Sequence, residues 1–201
     1  KEKVSIISST SYQWALCDYG IICSGMTTTT VYPTLVEDQI TFILNDSASK
    51  LIFVENKEQF NKINSIYNSI DSLKYIIIMD DDPICDKFDY GMTLSSFIDN
   101  GSNYLVSNNI SVEDKSLKID ENDLLTLIYT SGTTGMPKGV MLSHKNLSSN
   151  ILSVSKLQNN LRDEKFLSFL PLSHVLERMA GHFLALSINS RIYYFVFGKT
   201  F

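Results

Sequence analysis

The chain has 201 residues, 44% hydrophobic and 19% charged, enough to bury a large core in one or two domains of a soluble globular protein. Seventeen basic against 22 acidic side chains give a net charge of −5 with Lys and Arg scattered, which argues against a nucleic-acid partner held by backbone charge. Three cysteines, Cys17, Cys23 and Cys85, stand in no CxxC spacing, so neither a disulfide framework nor a zinc site is indicated and cytosolic chemistry is expected.

The opening KEKVSIISS has no initiator Met and begins almost within a strand, so the chain is expected to be a piece of a longer protein. Residues 4–7 read as a short strand, and Ser9 or Thr10 as the cap of a helix that runs to Cys23 and ends at Gly25. Residues 27–31 are β-branched, and residues 36–45 place Val36, Ile40, Ile43 and Leu44 at helical spacing. A buried strand over 51–54, a helix over 57–70 and a second buried strand over 75–79 follow. Strand and helix alternate, which predicts an α/β fold of mostly parallel sheets flanked by helices.

Asp80, Asp81 and Asp82 close the last of these strands and read as a solvated loop before Pro83 rather than a metal cluster, because no further ligand follows at suitable spacing. The stretch 101–122, rich in Gly, Ser, Asn and charge, reads as a linker or surface excursion. It divides a first α/β unit over 1–100 from a second, truncated unit over 123–201.

That second unit opens on the most informative stretch of the chain. The apolar run 124–129 stops abruptly at Thr130, Ser131, Gly132, Thr133, Thr134 and Gly135, and after Met136 and Pro137 a β-leaning run follows Lys138 and Gly139. Two glycines let successive backbone N–H groups approach one anion, four hydroxyls add donors, and Lys138 supplies a mobile ammonium. A strand, a phosphate-gripping turn and a second strand are expected. The spacing differs from the common P-loop, in which Gly-Lys is followed by Ser or Thr at the start of a helix, and so disfavours a GTPase or kinase.

Ser143 stands where a helix cap would, with a helix over 144–156 that makes His144 a helix-start residue. Residues 165–170 read as a strand ended by Pro171, 173–188 as an amphipathic helix, and 191–197 as a strand. No apolar run reaches the roughly 18 residues of a spanning helix; the greasiest, 166–197, is interrupted by Pro171, His174, Glu177, Arg178, His182 and Arg191.

Ten contiguous positions, Thr130 to Gly139, resemble without a gap the phosphate loop of the adenylate-forming (AMP-binding) superfamily, which holds acyl-CoA synthetases, amino-acid adenylation domains and luciferases. FLPLSHVLERM, from Phe169 to Met179, resembles the next block of the long-chain fatty acyl-CoA synthetases, and the region from Trp14 to Asn56 resembles their first α/β segment. The likeness covers nearly the whole chain and implies a fragment of the large N-terminal domain of such an enzyme.

The resemblance implies activation of a long-chain fatty acid by ATP to an acyl-adenylate, then thioester formation with coenzyme A. It assigns Thr130, Ser131, Gly132, Thr133, Thr134, Gly135 and Lys138 to the triphosphate, Thr130 to Mg2+, Lys138 also to the departing pyrophosphate, and His174 to the acyl end of the site. Glu177, Arg178 and His182 share a helical face with His174 at i+3, i+4 and i+8, and a structural Glu177–Arg178 network is expected. YGMTL, Tyr90 to Leu94, is similar to the family's magnesium-binding motif but precedes the loop and carries Leu94 in place of the Glu, so it is read as coincidence.

Alternatives remain within and beyond this chemistry. An amino-acid adenylation domain needs a carboxylate for the substrate amine, and no Asp follows Asp163; a non-catalytic nucleotide-binding module would keep the loop without the reaction. The downstream Glu, ribose-binding Asp and C-terminal Lys of the family have no counterpart in this sequence, so the isolated chain is expected not to turn over. Partners are small molecules, the fatty acid, ATP and coenzyme A; a long acyl chain partitions into lipid, so a peripheral membrane location is compatible with the cytoplasmic reading.

Overall fold

The computed structural model describes residues 1–130, 136–157 and 164–195. Its strands are the short β-branched and apolar runs: β1 (Lys3–Ile7), β2 (Thr27–Val31), β3 (Leu51–Val54), β4 (Tyr75–Ile78), β5 (Gly91–Thr93), β6 (Leu124–Thr130), β7 (Lys138–Ser143), β8 (Lys165–Ser168) and β9 (Arg191–Tyr194). The α-helices are α1 (Tyr12–Cys23), α2 (Glu37–Ser47), α3 (Lys57–Ile66), α4 (Leu94–Ser107), α5 (Val112–Ser116), α6 (His144–Leu157) and α7 (Ala185–Ser187).

Among the described residues seven strands form one sheet in the order β5-β4-β3-β1-β2-β6-β7, parallel throughout except for β6 and β7, while β8 and β9 pair in parallel apart from it. Both faces of the large sheet are covered, so its strands alternate between two cores rather than between core and solvent. Ile7, Ile52, Val54, Ile76 and Ile78 pack with Ile40, Ile43 and Leu44 of α2 and with Phe60 and Ile63 of α3. Val4, Ile6, Phe53 and Ile77 pack on the other face with Trp14, Cys17 and Ile21 of α1 and Leu94 of α4. Each fully buried aliphatic side chain contributes roughly 1.5–3 kcal/mol of transfer free energy, so this sandwich dominates stability.

Several local expectations are corrected. The cap of α1 is Ser11, which accepts from the Trp14 N–H at 3.1 Å. Ser9 and Thr10 are committed elsewhere: the Ser9 N–H donates to Glu55 at 2.8 Å and the Thr10 hydroxyl to the Leu170 carbonyl at 2.6 Å. Helix α3 ends at Ile66 and tightens into a 3-10 turn at Tyr67–Ser69. Asp82 caps a 3-10 helix over Pro83–Lys87 by accepting from the Ile84 N–H, and Asp81 accepts from the Ser95 hydroxyl. Within YGMTL, Gly91–Thr93 pairs with β4, Thr93 caps α4, and Leu94 is buried.

Residues 101–122 carry the second half of α4 and all of α5, so position 100 falls inside a helix, one whose residues after Leu94 are exposed or half-buried. Strand β6, beyond that stretch, lies in register against β2, before it. The helix expected over 173–188 also takes another form. Glu177–Leu184 is π-helical and α7 continues it. Within it, a Cβ at Gly181 would run into the Glu177 carboxylate, which crosses the glycine to accept from the Ser168 hydroxyl at 2.6 Å. No helix among the described residues is long and apolar enough to cross a membrane.

His182, on the π-helix, is fully buried against the rings of Trp14, Tyr19 and Phe183, with Nδ1 3.3 Å from the Tyr194 hydroxyl. Burial lowers its pKa from 6.5 to about 4; Asp18 opposes the shift and Arg178 adds to it. The unfolded chain therefore takes up a proton below pH 6.5 that the folded chain refuses, and stability is lost as pH falls from 6.5 towards 4, by up to about 3 kcal/mol. Urea denaturation across that window should give a steeper pH dependence for the parent than for His182→Phe, by nearly one proton; equal slopes would refute the assignment.

Candidate functional site

Strand β1 pairs with β2 on one side and β3 on the other, and the chain passes from β2 back across β1 to reach β3. Helices α1 and α3 leave the carboxyl ends of β1 and β3 for opposite faces, which opens a crevice of the kind that binds ligands in open α/β sheets. A cavity of about 310 Å³ lies there, lined by Ser8, Ser9 and Thr10 after β1, Tyr32 to Thr34 after β2 and Glu55 after β3. Phe169, Pro171, Ser173 and Phe195 complete its wall. A larger cavity, about 420 Å³, lies between α1 and α4, but its lining is almost wholly apolar. The Cys17 thiol in it is pushed up to about 12 by burial, too high to supply a nucleophile at neutral pH.

The phosphate-loop expectation concerns Thr130, Ser131, Gly132, Thr133, Thr134, Gly135 and Lys138. Ser131, Gly132, Thr133, Thr134 and Gly135 lie outside the described residues. Thr130 closes β6 and Lys138 opens β7, and the two are direct partners in the antiparallel register. Both are exposed. One pair further in, Gly139 faces Tyr129; a Cβ at Gly139 would come within 3.1 Å of the phenol ring, so glycine is what lets the ring lie across the hairpin and donate to Asp46 at 2.6 Å. Ser143 and Asn146 cap α6 reciprocally, and His144 is its first residue, its N–H donating to the Asp123 carbonyl.

His174 is exposed at the end of a segment pinned to the sheet from two strand exits. Thr10 brackets Pro171, its hydroxyl donating to the Leu170 carbonyl at 2.6 Å and accepting from the Leu172 N–H at 3.0 Å. The Thr30 hydroxyl donates to the Ser173 carbonyl at 3.2 Å, and Thr30 is registered with Ile128, two residues before Thr130. His174 thus stands at the same edge of the sheet as the loop. Its Nδ1 accepts from the Leu176 N–H at 3.2 Å, which leaves the neutral ring its proton on Nε2, a donor pointed away from the backbone. The Ser173 hydroxyl is buried and has no hydrogen-bond partner among the described residues, although it lines the crevice.

Glu177, Arg178 and His182 do not join His174 on one face: they are buried, while His174 precedes the helix. Glu177 and Arg178 also do not pair with each other. Arg178 donates through Nε and Nη2 to both oxygens of Asp18 on α1, at 2.8 and 2.5 Å, and through Nη1 to the Thr126 hydroxyl on β6 at 2.6 Å. The Thr126 hydroxyl donates to the Thr28 carbonyl and the Thr28 hydroxyl to Asp18, each at 2.7 Å, closing a ring. Sequence reasoning missed Asp18, Thr10, Thr28, Thr30 and Thr126. A lone carboxylate within the apolar run WALCDYGIIC and four threonines in a central strand were the available signals.

A sequence model of the AMP-binding enzyme family matches residues 1–198. A chloroplastic long-chain-fatty-acid–acyl-carrier-protein ligase of Arabidopsis thaliana is 31% identical over 91% of this chain and 26% of its own length. A long-chain-fatty-acid–CoA ligase of Mycobacterium tuberculosis is 31% identical over 88% of this chain and 28% of its own. The chain thus spans about a quarter of the curated relatives it matches. Among solved structures, an anthranilate CoA ligase in complex with anthranoyl-AMP superposes with a TM-score of 0.73 at 19% identity, over 98% of this chain and 36% of that one. The N-terminal domain of FACL13 from Mycobacterium tuberculosis gives 0.71 at 21%, over 96% and 44%.

The Thr10 bracket is testable without any ligand. Thr10→Val should cost roughly 0.5–1.5 kcal/mol in urea denaturation, since it removes both bonds and leaves the part-buried Leu172 N–H unanswered, and should speed amide exchange at Leu172, whereas Thr10→Ser should do neither. Equal stability of the valine and serine variants would show that the bracket contributes nothing.

Proposed function

The chain belongs to the AMP-binding enzyme family, and on that premise we propose that it carries the phosphate-gripping part of a ligase that activates a long-chain fatty acid with ATP and transfers it to coenzyme A. The observation that carries this reading is the hairpin geometry: Thr130 and Lys138 face each other across the ends of the loop, beside the crevice at the carboxyl edge of the sheet. Relatives named as long-chain fatty acid ligases support the acyl substrate.

In this reading a fatty-acid carboxylate oxygen attacks the α-phosphorus of ATP, the bond to the β-phosphate breaks, and pyrophosphate leaves. Two anions must approach, so charge has to be neutralised where it accumulates. Backbone N–H groups and hydroxyls of Thr130, Ser131, Gly132, Thr133, Thr134 and Gly135 hold the triphosphate, and the Lys138 ammonium follows the departing pyrophosphate. The exposed Thr130 hydroxyl would be the oxygen donor for a Mg2+ carried on the substrate phosphates, which would supply further neutralisation of their charge. His174 offers its Nε2–H as a hydrogen-bond donor to the fatty-acid carboxylate, with no transfer of the proton. In the second half the coenzyme A thiolate attacks the acyl carbon and AMP leaves. The half-polar crevice, with the unpartnered Ser173 hydroxyl and the Phe169 and Phe195 rings, is the space these substrates share.

In the protein that carries this chain, Lys138→Ala should lower fatty-acid-dependent ATP–pyrophosphate exchange by about 100-fold or more while leaving the melting temperature unchanged, because Lys138 is exposed. Exchange that proceeds at the parental rate in the variant, or a parent that exchanges with amino acids and not with fatty acids, would reject the reading.

A further inference from the structure

We propose that Asp18, Thr126 and Arg178 are positioning residues, whose ring of hydrogen bonds holds the root of the phosphate loop and the His174 segment in one fixed relation. Thr126 lies four residues before Thr130 along a strand, and Arg178 four residues after His174. The Arg178–Thr126 bond joins the two lines directly. Asp18 ties the same guanidinium to α1, whose preceding residues, Ser8 to Thr10, line the crevice, with Thr10 bracketing Pro171.

The chemistry of the ring suits a device for geometry more than one for stability. A buried ion pair is often no more stabilising than apolar residues of the same volume, so stability alone does not call for one. A guanidinium, however, is a rigid planar fork that accepts partners in fixed directions. Here its plane is further confined by Trp14 and Phe183, whose ring centroids lie 5.6 and 5.5 Å from its central carbon. Asp18 and Arg178 are 0% and 2% exposed, so water offers no alternative partners. A shift of β6 relative to the π-helix would break at least one bond with nothing to replace it.

The catalytic part of this inference rests on the reading above; the mechanical part does not. In the protein that carries this chain, Thr126→Val removes the link between Arg178 and β6 and leaves the ion pair, while Thr126→Ser keeps the hydroxyl. Hydrogen exchange followed by mass spectrometry should show faster exchange, by about tenfold, in peptides covering both 124–130 and 170–176 of the valine variant, no change over 37–66, and parental exchange in the serine variant. Fatty-acid-dependent ATP–pyrophosphate exchange should lose about tenfold in kcat with the KM for ATP unchanged, again restored by serine. A rise confined to 124–130, no rise at all, or parental kcat in a valine variant that does exchange faster at both segments would overturn the proposal. A parent without fatty-acid-dependent activity would instead reject the substrate reading, and the exchange pattern would still decide the coupling. Should Thr126→Val not fold, Asp18→Leu combined with Arg178→Met removes both charges together, and the same joint rise at both segments is required of it.

Discussion

A guanidinium taken out of water costs several kcal/mol unless its N–H groups find acceptors, and Arg178 meets that demand by drawing three separate elements onto one point. Asp18 must then face inward from α1, Thr126 must offer a hydroxyl from β6, and Thr28 must complete the circuit. Removing one partner of such a buried pair costs roughly 3–5 kcal/mol, because it leaves the other charge unanswered. The π-helical register and Gly181 follow from the same packing, since Glu177 has to reach Ser168 while its neighbour reaches α1.

The secondary structure was largely readable because it follows local rules. β-branched and unbroken apolar runs marked the strands, and residues such as Ile40, Ile43 and Leu44 marked helix faces. What escaped was polar and long-range. Thr27 to Val31 reads as a strand from its β-branched residues, but nothing local says that Thr28 bonds Asp18 or that Thr30 bonds Ser173. The position of α1's cap escaped for a related reason: Ser9, Thr10 and Ser11 are equivalent as caps, and tertiary partners for the first two decide among them. The helix after His174 was legible as amphipathic, yet nothing local announced that Glu177–Leu184 would take π-helical form.

The site divides along the same line. The stretch from Thr130 to Lys138 is written contiguously, so it could be singled out directly, and the β6–β7 register brings its two end residues opposite each other. The crevice is assembled from residues near positions 9, 33, 55 and 171, each unremarkable alone. Under the proposed function the contiguous part is so marked because grasping a triphosphate demands many donors close together in the sequence. The crevice walls come from separate segments, and such a wall carries no comparable local signature.

One feature of the pinned segment reaches beyond the finished fold. The bonds from Thr10 to Leu170, Asp18 to Arg178 and Thr30 to Ser173 span separations of 160, 160 and 143 residues. Closing such loops is entropically slow and is rewarded only once the distant partner exists. During synthesis β1, α1 and β2 therefore leave the ribosome long before the residues that satisfy them. At about 5–20 residues per second the delay is on the order of ten seconds, an interval in which Asp18 has the Thr28 hydroxyl beside it but lacks the counter-charge that Arg178 brings 160 residues later.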